Sequence, residues 1–311
     1  MNKKRKYKES SKKLLIIGAN GFLGINILHL RNYSESKYDY CSFIAADQLN
    51  TNIPKDVPFY YIDITKSRDC IKKIIDISPD VVLLTAAMTN VDQNEVDKKL
   101  ASIINTEGPK NVLKACKRTD SKLIFMSTDF IFDGISKNGN YNENDTPNPL
   151  SHYAKTKYNA EQAILNSEIE YTICRTAVLY GWNKQKQTFI TWIISKLQKN
   201  EPIQIVTDQL NSPTFVKNLA EILLKLINKG AKGIYHTAGD CTLNRYEMAI
   251  KCAEVFDLKK DLVTQIESIE QKATRPKNVG LDISKLKKLI GSELKIYNLN
   301  DGLNYMKNHS S

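Results

Sequence analysis

The sequence predicts an α/β protein: a doubly wound parallel sheet, with a smaller α/β region in its second half. Three observations predict it. A glycine loop, Gly18-Ala19-Asn20-Gly21-Phe22-Leu23-Gly24, joins an apolar run to a helical pattern. Strand and helix patterns then alternate from Lys13 to about Tyr180, which is how βαβ units read. Polar or small residues follow four of the strands, at the carboxyl ends where open parallel sheets place their ligand crevice.

The chain opens on MNKKRKYKESSKK, with seven Lys or Arg against one Glu, more than half of the net charge of +11. Residues 1–12 lack the apolar segment of a signal peptide and read as a disordered basic tail. The first strand, Leu14–Gly18, is a continuous apolar run of the kind buried in a parallel sheet. It ends in the glycine loop, and a helix at about 22–32 follows. Missing side chains let the backbone approach a pyrophosphate, and the helix N-terminus offers free N–H groups. The spacing is G-x-x-G-x-x-G in place of the commoner G-x-G-x-x-G. Gly18, Asn20, Gly21, Phe22, Leu23 and Gly24 are therefore expected at a dinucleotide, on a Rossmann-type sheet.

The second strand, Cys41–Ala46, delivers Asp47, twenty-three residues beyond Gly24 and placed for adenosine ribose hydroxyls. No Lys or Arg occurs from Ala45 to Pro54, so a 2′-phosphate would meet a carboxylate without a local cation. NADH is thus favoured over NADPH. A third strand, Tyr60–Ile62, ends at Asp63, and a helix is expected at about 67–77. The strand Val81–Ala86 runs into Ala86 to Asn90, and a long helix at about 93–117 returns to the strand Leu123–Ser127. That strand ends at Thr128 and Asp129. A helix at about 151–167 precedes the strand Tyr171–Leu179.

The second half is less regular. Helices at about 187–199 and 215–229 flank a strand at Ile203–Ile205 and the segment DQLNSPT, and a strand follows at Gly233–His236. Asn244 and Glu247 have capping-box spacing ahead of a helix reaching Phe256. Helical patterns recur near 283–290 and 300–308. The expected division is a dinucleotide-binding domain at 13–180, completed by 212–238, with 181–211 and 239–311 forming a substrate-binding region.

Hydrophobic residues make up 41% of the chain, enough for a sizeable core, and no apolar run approaches the ~18 residues of a membrane span. The six cysteines form no C-x-x-C pair and the four histidines show no ligand spacing. Metal and disulfide use are therefore not expected, no pattern assigns a Mg²⁺ site, and a reduced, cytoplasmic setting fits.

Tyr153 and Lys157 stand at i, i+4 in SHYAKTKYNAEQA, on one helix face toward the crevice. A phenol of reference pKa about 10 needs tuning to move protons at neutral pH, and a nearby ammonium would lower it. Thr128 at the strand end could polarise a substrate carbonyl. Ser127 competes for that place, but alternation lets only one of the two face the site.

These residues carry a resemblance. GANGFLG, AAMTNVDQNE, STDFIFDG, YAKTKYNAE, DQLNSPT, GIYHTAG and RPKNVGLDISKL resemble the dTDP-4-dehydrorhamnose reductase family of extended short-chain dehydrogenase/reductases, from Gly18 to about Leu286. The resemblance implies NAD(P)H-dependent reduction of the 4-keto group of a nucleotide-linked deoxysugar, dTDP-4-dehydrorhamnose. Tyr153, Lys157 and Thr128 would be catalytic, with Asn105 steadying the lysine through water. Asp63, Ile64, Ala86, Ala87, Met88 and Thr89 would contact the cofactor. Thr128 and Asp129 would contact the sugar, Gln209 would line the substrate region, and Arg275 would lie near the nucleotide diphosphate. The implied partner is a nucleotide-sugar substrate, with a homodimer left open and neither nucleic acid nor membrane expected.

Two positions depart from the family pattern: Phe130 stands where tyrosine is usual, and Val178 where an aromatic residue is often found. RTAVLYG and RYEMAIKCAEVF also resemble the regulatory β subunit of methionine adenosyltransferase, a noncatalytic alternative. A related epimerase or dehydratase is the lesser alternative, because dehydratases carry a Glu base at the position of Phe130.

Overall fold

The structure, a computed structural model, describes residues 11–30, 41–135, 140–183 and 186–309. Most of the basic tail, residues 1–10, lies outside the described residues, as does the expected end of the first helix at residues 31 and 32.

Seven parallel strands form the central sheet: β1 (Lys12–Ile17), β2 (Cys41–Asp47), β3 (Phe59–Tyr61), β4 (Val81–Leu84), β5 (Lys122–Thr128), β6 (Tyr171–Thr176) and β7 (Gly233–His236). Their order is β3-β2-β1-β4-β5-β6-β7, so the winding reverses between β1 and β4. The reversal opens a crevice beyond the carboxyl ends of those two strands. This is the doubly wound sheet that the alternation predicts.

Alternation within β1 shows how the sheet is covered. Leu14 and Ile16 face one core with Leu23, Ile27 and Leu28 of α1 (Phe22–Leu30). Leu15 and Ile17 face the other with Cys70, Ile74 and Ile77 of α2 (Ser67–Ile77). A strand buried on both faces has no polar alternation to show, which is why β1 and β4 read as unbroken apolar runs.

The long helix expected at about 93–117 is four pieces: α3 (Val91–Val96), α4 (Lys98–Ser102), a π-helical turn at Ile103–Glu107, and α5 (Gly108–Thr119). Asp97 breaks the first pair with φ −119° and ψ 71°, and its side chain caps α4 by accepting from the Leu100 N–H. The strand expected at Val81–Ala86 stops at Leu84, where Thr85 and Ala86 turn to donate to Ile17 O.

The strand expected at Tyr171–Leu179 also breaks. It leaves the sheet at Thr176, and Val178 sits at φ +40°, a left-handed conformation that a β-branched residue adopts only under constraint. The Val178 carbonyl there accepts from Thr214 N, and Leu179–Tyr180 pairs with Thr214–Phe215 outside the main sheet. Past this kink lies a third core, built from α7 (Phe189–Gln198), α9 (Arg245–Val255) and α11 (Leu299–Asn308) with the parallel pair Ile203–Val206 and Val263–Ile266. Of the remaining helices, α6 (His152–Leu165) covers β5, α8 (Val216–Asn228) packs on α1, and α10 (Ser284–Ile290) packs near β7. No described helix is long and apolar enough to cross a membrane.

Candidate active site

The glycine loop lies at the foot of the crevice. Gly18 has φ +91°, and a Cβ there would stand 2.5 Å from Ala86 N and 2.6 Å from Thr85 Oγ1. A Cβ on Gly24 would stand 2.4 Å from Gly18 O and 2.6 Å from the Ala19 Cα, so α1 is seated on the loop as closely as backbone allows. Asp47 first fastens this loop: its Oδ2 accepts from Asn20 N at 3.0 Å, and its Oδ1 from Gln48 N and Leu49 N at 2.7 and 3.2 Å. Asn20 in turn accepts from Thr51 Oγ1 and the Asn52 N–H. Phe22 and Gly21 are half-buried, while the Leu23 side chain belongs to the core and leaves only its backbone near the crevice. Asp63 closes a local turn onto Thr65, and the Ile64 carbonyl accepts from Asn111. Ala86, Ala87 and Met88 line the next strand end half-buried, with Thr89 exposed beyond them.

Asn105 is fully buried within the π turn. Its amide clasps the Met88 backbone in both directions, accepting from N at 2.8 Å and donating to O at 3.1 Å. It also donates to Asn94 Oδ1 and Thr156 Oγ1. The extra residue of a π turn places a side chain that a regular helix would not. Asn105 thus joins the loop after β4 to α6 beside Lys157, and its side-chain hydrogen bonds among the described residues are with Met88, Asn94 and Thr156 and not with the lysine itself.

Alternation separates Ser127 from Thr128. Ser127 lies on the face of Leu123 and Phe125, which pack with Ala160 and Ile164 of α6. Thr128 caps the 3₁₀ turn Asp129–Ile131, accepting from Phe130 N at 3.2 Å, and is hydrogen-bonded to the Tyr153 phenol. Its own proton goes to Asp129 Oδ1 at 3.0 Å. A hydroxyl has one proton, so Thr128 polarises a carbonyl only after turning away from Asp129.

The charges differ from the sequence expectation. Burial, with the Asp129 charge adding to it, pushes Tyr153 up to about 12, against the Thr128 hydrogen bond. The lowering expected from Lys157 is not part of this balance: the Lys157 ammonium lies over the Phe125 ring, 4.1 Å from its centroid. Burial pushes Lys157 itself down to about 7, opposed by Glu161. Burial pushes Asp129 up to about 7, opposed by hydrogen bonds from Thr128 and Asn211 and by the charge of Arg245. Tyr153 is therefore a phenol at neutral pH, able to give a proton, beside a carboxyl poised near neutrality.

Three features escaped the sequence reading. Asn211, in DQLNSPT, donates to Asp129 Oδ2 at 3.1 Å, whereas Gln209 donates outward to Gln271. Leu210 pairs with both Asn244 and Asn278, which gathers three segments here, and buried Asp208 Oδ1, Asn211 Oδ1 and Asn278 Oδ1 have no partner among the described residues. Such acceptors suit the hydroxyls of a sugar. Glu161, four residues beyond Lys157, forms a buried ion pair with Arg175 at 2.8 Å; its i+4 spacing in YAKTKYNAE was the available signal. Arg275 forks onto Asp92 at 2.9 and 2.7 Å, tying its loop to α3.

The family described as RmlD substrate binding domain matches residues 12–306. The chain is 31% identical over 286 residues to "Methionine adenosyltransferase 2 subunit beta" of Xenopus tropicalis, covering 89% of this chain and 82% of that one. It is 29% identical over 293 residues to "dTDP-4-dehydrorhamnose reductase" of Aggregatibacter actinomycetemcomitans, covering 90% and 93%. The crystal structure of dTDP-4-dehydrorhamnose reductase from Bacillus anthracis in complex with NADP superposes with a TM-score of 0.80 at 28% identity, covering 95% and 98%.

Proposed function

The chain belongs to the RmlD substrate binding domain family, and from that premise we propose that it is an NAD(P)H-dependent reductase of a nucleotide-linked 4-keto-6-deoxyhexose. The substrate is dTDP-4-dehydrorhamnose or a close relative, reduced to dTDP-L-rhamnose or the corresponding deoxysugar. The observation that carries this reading is the meeting of Thr128, Asp129, Tyr153 and Asn211 around one strand end, with Lys157 a turn beyond Tyr153 on α6.

The cradle suits a dinucleotide, because the bare backbone at Gly18 and Gly24 lets the loop seat tightly against the Thr85–Ala86 turn and against the start of α1, the strand–turn–helix arrangement that receives a pyrophosphate. When bound there, the reduced nicotinamide supplies the hydride for C4. Tyr153 gives its proton to the developing O4 alkoxide, a step for which a phenol held protonated is suited. Lys157, one turn further along α6, holds the nicotinamide ribose. Asp129 and the buried acceptors at 208, 211 and 278 orient the sugar, and general acid catalysis of this kind contributes roughly 10²–10⁴-fold. Asp47 favours NADH, while the NADP bound by the Bacillus anthracis reductase makes NADPH the comparison to run. Phe130 packs edge-on to Tyr153 at 6.5 Å and has no group to act as a dehydratase base.

The similarity to adenosyltransferase β subunits favours one second reading, a noncatalytic subunit that keeps the dinucleotide as a structural ligand. Consumption of NADH and NADPH with dTDP-4-keto-6-deoxyhexose, set against the UDP and GDP forms, separates the two. Turnover with the dTDP form supports the reductase. Tight cofactor binding with no turnover on any of the three, together with capture of an adenosyltransferase catalytic subunit, supports the other.

A further inference from the structure

Two guanidiniums stand on the substrate side of the strand ends, and one of them is already engaged. Arg275 gives both ends of its fork to Asp92 and a further bond to Ala273 O at 2.9 Å. Its donors fasten the loop that carries it. Arg245 is different. It opens α9, directly after Asn244, which caps that helix and pairs with Leu210. The next residue along that strand, Asn211, is the one that donates to Asp129. Arg245 therefore stands at the edge of the floor on which the sugar is read.

Its guanidinium lies over the Phe189 ring, 4.8 Å from carbon to centroid, and is half-buried. Among the described residues it gives no hydrogen bond and enters no ion pair. The Asp129 oxygens accept from Thr128 and Asn211 instead. Burial pushes Arg245 down to about 10, with Asp129 pulling it back and Arg275 adding to the fall. The Arg245 nitrogens are not among the buried unpartnered atoms, so water meets these donors and an arriving oxyanion would take its place with a charge-assisted pair. Stacking on one ring face leaves the edge donors free, which is the geometry for a bidentate oxyanion.

We infer that Arg245 is the anion clasp of the substrate, receiving the diphosphate of the nucleotide sugar, and that Arg275 is a tie within the protein and not that clasp. This rests on the nucleotide-sugar reading above. The test is calorimetric titration of dTDP, inorganic pyrophosphate and thymidine into the full chain saturated with NADH, for wild type, Arg245→Met, Arg245→Lys and Arg275→Met. Methionine keeps an unbranched stem over Phe189. The expected result for Arg245→Met is a loss of about tenfold or more in dTDP affinity, the scale of one charged hydrogen-bond pair, with NADH affinity unchanged. Pyrophosphate binding should fall alongside, thymidine binding should not move, and Arg245→Lys should recover part of the loss. Arg275→Met should lose less than Arg245→Met.

Arg245→Met binding dTDP within twofold of wild type overturns the inference and leaves the reductase reading standing. Wild type that binds NADH but neither dTDP nor pyrophosphate overturns both. If Arg245→Met loses NADH binding through misfolding, Arg245→Lys decides: a threefold or greater loss of dTDP affinity supports the clasp, and an unchanged affinity overturns it.

Discussion

Replacing Glu161 by glutamine should unsettle both the fold and the chemistry of α6. Glu161 is 0% exposed and Arg175 2%. Two bonds join them, Nη2 to Oε2 at 2.8 Å and Nε to Oε1 at 3.2 Å, while Arg175 Nη1 has no partner among the described residues and the guanidinium carbon lies 5.4 Å from the Phe132 ring centroid. Glutamine keeps one acceptor but removes the countercharge. Breaking a buried pair from one side costs about 3–5 kcal/mol, and the retained acceptor puts this case near 3. Against a total stability of about 5–15 kcal/mol, that is a fifth or more of what holds the domain folded. Urea unfolding of the apoprotein should show a lower midpoint with an unchanged m-value. The double variant Glu161→Leu with Arg175→Met removes both charges and should recover most of the loss. Glu161 is also the charge that opposes the burial of Lys157. Without it, the Lys157 ammonium should be lost at lower pH, and the alkaline limb of NADH binding should move toward acid. A midpoint within about 0.5 kcal/mol of wild type, the scale of an ordinary surface change, or an unmoved alkaline limb, would refute the chain of influence from Arg175 through Glu161 to Lys157.

Tyr153→Phe should lose about 10²-fold or more in kcat with near-normal NADH affinity, whereas Lys157→Ala should lower both; steady-state kinetics beside a fluorescence titration reads the split. Asp129→Asn should gain on wild type as pH rises. The native pKa of Asp129, about 7 against an ordinary 3.8, favours its protonated form, so that contribution is full below about 4 and gone above about 7. Melting temperatures at pH 5 and pH 8 test this, and a gap between variant and wild type that is the same at both would count against it. NADH should bind at least as tightly as NADPH, with Asp47→Ala narrowing any difference; NADPH tighter by more than about tenfold would remove the argument from Asp47, since tenfold is about 1.4 kcal/mol.

The sequence by itself determined what is local. Helix α2 and strand β7 read from periodicity to their terminal residues, and the Asn244–Glu247 capping box forms as its spacing predicts. Gly18 and Gly24 announce a loop that no Cβ could enter, and Tyr153 with Lys157 needs only one helical turn. These features depend on backbone preferences and on residues a few positions apart, which sequence patterns encode directly. Tertiary structure decided the rest. Helical propensity at 93–117 is interrupted at Asp97 and in the π turn, where Asn105 is drawn inward by Met88, Asn94 and Thr156. The strand through Val178 breaks where its carbonyl is taken by Thr214. Asp129 meets Asn211 eighty-two residues away, and Asp92 meets Arg275 across 183, so the charge on Asp129 and the donors left free on Arg245 follow from packing between distant segments. No pattern along the chain specifies which buried donor will find which acceptor. That pairing exists only once burial has removed water as the alternative partner.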